Sequence, residues 1–157
     1  MKIPALITCI LLTLSLNTTN AETGHSQHTH SDASEQLIGG PNGGRMVHIV
    51  EPHFEFFLRP DRVAQITFLD DNNQMIPVSR QSISLIGGDR SAPVKINFEN
   101  NGEMLTSGSP LPDMKRMPIV LQIQASADAK TVREKFYLDL NNCGSCSYKE
   151  YACICGH

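Results

Sequence analysis

The densest concentration of reactive side chains in this sequence is Cys143-Gly144-Ser145-Cys146 followed, after six residues, by Cys153-Ile154-Cys155-Gly156-His157. Two cysteines separated by two residues turn their sulfurs toward one point, which is the first half of a tetrahedral thiolate site. Cys153, Cys155 and His157 stand at i, i+2 and i+4, so an extended chain would present all three on one face. Five donors are then on hand for four coordination positions. Soft thiolates select zinc or cuprous copper over magnesium or calcium. The competing chemistry is a pair of disulfides, which an oxidising compartment favours. The segment also departs from the CPxCG form of a zinc knuckle, with Gly144 after the first cysteine and Ser147 after the second.

Other donors are sparser. His25, His28 and His30 sit in a polar stretch, where a short His-rich tract reads as metal-capturing by composition or as an ordinary linker. His53 and Glu55 are two residues apart on an expected strand and should share a face, as a secondary metal pair or as solvent-facing groups. His48 has no partner in the sequence and reads as structural. Met114 and Met117 resemble a sparse cuprous-binding pair, although two methionines in a Pro-rich loop more often pack. No GxSxG elbow and no HExxH is present. The CxxC lacks the βαβ context of a thioredoxin-like redox motif. An enzyme is therefore not expected.

The elements that must position these residues read as all-β. Residues 1–21 have the character of a secretory signal: Lys2, an apolar stretch from Ile3 to Leu16, and the small residues of Thr19-Asn20-Ala21 before cleavage near Ala21. That stretch is too short to span a bilayer, and no second apolar run of spanning length follows, so no transmembrane segment is expected in the mature chain. Cys9 lies early inside the apolar core and is not read as a lipid-attachment site; its removal leaves four cysteines, all in the tail. Residues 22–38 should form a flexible His-containing arm. A breaker cluster, Gly39-Gly40-Pro41-Asn42-Gly43-Gly44, marks entry to the domain at 39–141, and a short Cys-rich tail occupies 142–157.

Within the domain, strands are expected at 46–50, 53–58, 63–69, 83–86, 94–99, 119–125 and 136–140. Gly87-Gly88 should end the fourth, and Asn100-Asn101-Gly102 gives a hairpin signal. Seven or eight short strands at this spacing indicate a β-sandwich or small barrel. The formal net charge of −3 gives no electrostatic reason to expect nucleic acid.

Gly40-Pro41-Asn42-Gly43-Gly44-Arg45, followed by His53-Phe54-Glu55, resembles the GPHGG-type β-domain of periplasmic adaptor subunits of heavy-metal efflux pumps, also found as small stand-alone exported proteins. The similarity spans about Gly39 to Leu140. Asn42 stands where the pattern has a histidine, whereas Glu55 matches it. The resemblance implies an Ig-like or related sandwich and a metal-facing module without the pump machinery. The resulting expectation is an exported, periplasmic or secreted metal-handling accessory protein for zinc or copper, whose partners are the ion and an efflux or envelope protein. The alternative is an exported, non-enzymatic protein-interaction module with tail disulfides.

Overall fold

The computed structural model describes residues 39–155. Residues 1–21, read above as a signal, the stretch with His25, His28 and His30, and His157 lie outside the described residues. Among the described residues the fold is all-β, with eight strands: β1 Arg45–Val47, β2 Phe54–Leu58, β3 Ala64–Phe68, β4 Ser82–Asp89, β5 Ala92–Asn100, β6 Leu105–Ser107, β7 Arg116–Gln124 and β8 Val132–Asp139. All pair antiparallel in one sheet, in the order β1-β2-β3-β6-β5-β4-β7-β8.

Period-2 patterning explains the layering. Along β7, Met117, Ile119, Leu121 and Ile123 are buried and their neighbours are not, the signature of a strand with one face on the core. β5 is the fold line. Its Ala92–Asn97 stretch pairs with β4, and Phe98–Asn100 pairs with β6. The sheet turns over there, and the two flaps share one core. Phe56 of β2 meets Phe136 of β8 edge-on at 5.3 Å. The outer strands approach without a ladder: Arg45 of β1 is 3.2 Å from Glu134 of β8, and its guanidinium lies 5.0 Å over the Phe136 ring. The sheet is nearly closed, with side chains joining its edges.

Several boundaries differ from expectation for local reasons. β1 stops at Val47, and the chain through His48 to Pro52 turns before β2. β4 runs through Gly87 to Asp89 because Gly87 is a packing residue: a Cβ there would lie 2.7 Å from Ile119 Cδ1. β8 begins earlier than expected, at Val132, and β6 was not anticipated. The Asn100-Asn101-Gly102 signal does form the β5–β6 connection, with Gly102 at φ 96° and the Asn101 side chain accepting the amides of Glu103 and Met104.

The glycine cluster has a specific task. Glu55 is fully buried in β2 between Phe54 and Phe56. One carboxyl oxygen, Oε1, accepts the backbone amides of Asn42 at 2.9 Å and Gly44 at 2.7 Å; Oε2 accepts Asn42 Nδ2 at 2.7 Å. The loop lies so close that a Cβ on Gly40 would fall 2.3 Å from Oε1, and one on Gly44 would fall 2.3 Å from the Phe56 carbonyl oxygen. Glycine is required because the loop backbone itself solvates a buried carboxyl group.

Glu55→Ala leaves the buried Gly44 amide and the half-buried Asn42 amide without their acceptor and should cost about 2–4 kcal/mol, whereas Glu55→Gln, whose amide oxygen still accepts both, should cost less. Gly40→Ala should destabilise comparably to Glu55→Ala, because its methyl displaces the same carboxyl oxygen. Urea unfolding midpoints for the three variants check the ranking.

Candidate metal centre

After β8 the chain builds a small hairpin. Asn142 bridges Lys149, and the Cys143 amide donates to the Tyr148 carbonyl at 2.9 Å. Lys149 Nζ donates to Asn142 Oδ1 at 2.7 Å, and the Glu150 amide donates to Asn141 at 3.0 Å. The hairpin tip carries Cys143 and Cys146. A single 3-10 turn, Glu150–Ala152, then reverses the chain and delivers Cys153 and Cys155 to the same point.

Two tyrosines moor this unit to the domain. Tyr151 is buried, its ring 6.1 Å from Phe56, and its hydroxyl accepts the Leu58 amide of β2 at 3.2 Å. Burial pushes the Tyr151 phenol up, opposed by the Leu58 hydrogen bond and reinforced by Glu55. Tyr148 packs against the glycine loop, where a Cβ on Gly39 would lie 2.3 Å from its hydroxyl oxygen. Sequence reasoning missed both residues. The signal available was the spacing of two aromatics three apart in an otherwise polar, Cys-rich segment.

The four sulfurs lie within 4.8 Å of one another, and they are the one such gathering of three or more His, Cys, Asp or Glu ligand atoms among the described residues. Cys143 Sγ is 3.3 Å from Cys153 Sγ and 4.0 Å from Cys155 Sγ; Cys146 and Cys153 are 3.9 Å apart. None is joined in a disulfide. A tetrahedron of thiolates at the zinc–sulfur bond length has an edge of about 3.8 Å. The donor set therefore fits a soft or borderline cation with four thiolates and little rearrangement.

Backbone amides point at the sulfurs. Ser145 donates to Cys143 Sγ at 3.4 Å, and Cys155 donates to Cys153 Sγ at 3.3 Å, each from two residues along the chain. The same relation holds for Cys146: the Tyr148 amide is the main reason its thiol is drawn down to about 7. The neighbouring sulfurs move the opposite way. Hydrogen bonds to the sulfurs of Cys153 and Cys146 push Cys155 up to about 12. Cys153 is also raised; the lowering effect of the Cys155 amide is outweighed by burial and by the sulfurs of Cys143 and Cys146. Once Cys146 carries a negative charge, a second thiolate beside it is costly unless a cation enters.

The remaining candidates have other surroundings. His53 is buried before β2, stacked on the exposed His48 at 5.0 Å, with Nε2 3.3 Å from Asn73 Oδ1 and Nδ1 3.7 Å from Glu51. Glu55 has both oxygens engaged by the glycine loop. His53 and Glu55 thus have different partners. Met117 is buried in the core and Met114 packs against it. Among the described residues, no helix is long and apolar enough to cross a membrane. Comparison with protein families, curated proteins and solved structures finds no match to this chain.

Zinc uptake by the reduced protein at pH 8 should release roughly two or more protons per ion, from Cys153 and Cys155 at least. Below pH 7, where Cys146 also begins protonated, the release should rise by about one. Affinity should accordingly fall as pH falls, more steeply below 7. Proton release during zinc titration in weakly buffered solution measures both.

Proposed function

We propose that this is an exported metal-handling accessory protein, holding zinc or cuprous copper on Cys143, Cys146, Cys153 and Cys155. The observation that carries the reading is the convergence of four sulfurs to within 4.8 Å at spacings close to those of a tetrahedral thiolate shell. The domain's part is to hold the tail in place: the glycine loop seats Tyr148, and the core seats Tyr151. The signal-like segment at 1–21 supports export to the periplasm or beyond, and the resemblance of Gly40–Arg45 and His53–Glu55 to efflux-adaptor domains supports an envelope partner in metal traffic. In this reading His25, His28 and His30 serve as a weaker collector.

Metal content separates this function from a non-enzymatic interaction module with a disulfide-closed tail. Protein purified from metal-replete cells should contain about one zinc or copper per chain by mass spectrometry. A variant with Cys143, Cys146, Cys153 and Cys155 all changed to Ser should contain none. Absence of metal from the parent, together with thiols that resist alkylation under denaturing conditions without reductant, would establish the disulfide module instead.

A further inference from the structure

The four ligands are not equivalent, and their differences bear on whether a bound ion is resident or carried. Cys143 is buried, Cys146 and Cys153 are half-buried, and Cys155 is exposed. Their backbone attachments are graded in the same way. Cys143 is pinned in the hairpin by its bond to the Tyr148 carbonyl at 2.9 Å. Cys153 directly follows the buried pair Tyr151 and Ala152, and its amide donates to Glu150 at 3.3 Å. The Cys155 amide instead donates to Cys153 Sγ at 3.3 Å, an atom of the site itself.

We propose that the ion is cargo and that Cys155 is the position at which it is exchanged, an inference that rests on the metal reading of the cluster. Cys155 is exposed and lies outside every strand, so moving it aside breaks no strand pairing. Moving Cys143 would draw a buried side chain into water and open the hairpin. A shell filled by four protein thiolates gives up its ion only when one of them is displaced, and the ligand most open to solvent is the position an incoming donor reaches first. Here that position is on the Cys155 side, where an incoming thiol can approach. Its sulfur bonds the ion as the bond from Cys155 Sγ breaks, and its proton passes to the departing Cys155 thiolate. Neither the charge nor the oxidation state of the ion changes.

Competitive alkylation tests this. The reduced protein is treated with iodoacetamide, with and without one equivalent of zinc, and modification at each cysteine is mapped by mass spectrometry. Zinc should protect Cys143, Cys146 and Cys153 by at least about tenfold and Cys155 by less than about threefold, since alkylation samples the time each sulfur spends off the ion. Cys155→Ser should still retain near-stoichiometric zinc on gel filtration, while Cys143→Ser should not. Equal protection of all four, or weakest protection at another cysteine, overturns the exchange position and leaves the metal site standing. No protection at any cysteine overturns both.

Discussion

A sheet that curls on itself leaves two edges that must be satisfied, and in this protein the gap between β1 and β8 governs the rest. β1 has three residues and β8 has eight, so no ladder can run the length of the seam. Side chains bridge it instead. Arg45 reaches Glu134 and lies over Phe136, while Tyr151 inserts from the tail and takes the Leu58 amide beyond the end of β1. Unpaired edges invite association with other chains, and covering them is one of the ways native sheets avoid it. The tail is thus part of the fold's closure as well as the bearer of the cysteines.

This dual role ties the two halves of the molecule together. Glu55 holds the glycine loop against β2, the loop offers Gly39 and Gly43 to the Tyr148 ring, and Tyr148 supplies the carbonyl that pins Cys143. Each step is a short-range contact with a plain cause: a buried carboxyl group needing donors, a ring needing a flat surface, an amide needing an acceptor. The site is therefore anchored where it meets the domain and exposed on the side away from it.

How much of this could be read in the sequence depends on the range of the interaction. Alternation in β5 and β7, the Asn100–Gly102 turn and the pairing of CxxC with CxC are local patterns, and they located the strands and the cysteine cluster. β6 escaped because Leu105-Thr106-Ser107 is too short to show a period; its place comes from pairing with β3 and β5. Gly87-Gly88 looked like a terminus because glycine breaks strands on average, whereas here Ile119 occupies the space a side chain would need. Glu55 was legible only as a strand residue sharing a face with His53. Its partners, thirteen and eleven residues earlier, were not. The mooring tyrosines belong to the same class, since their contacts join segments distant in the chain.

The sequence separations across the seam also bear on how the chain acquires its fold. Arg45 and Glu134 are 89 positions apart, and Leu58 and Tyr151 are 93 apart. Contacts this remote are made late, after the entropy of closing a long loop has been met. While the protein is being synthesised, the first flap can pair its own strands, but the far end of β2 stays uncapped until Tyr151 emerges. The nascent domain therefore has an interval in which the Leu58 amide at the end of β2 lacks its acceptor, and the segment bearing the cysteines is the one that supplies it.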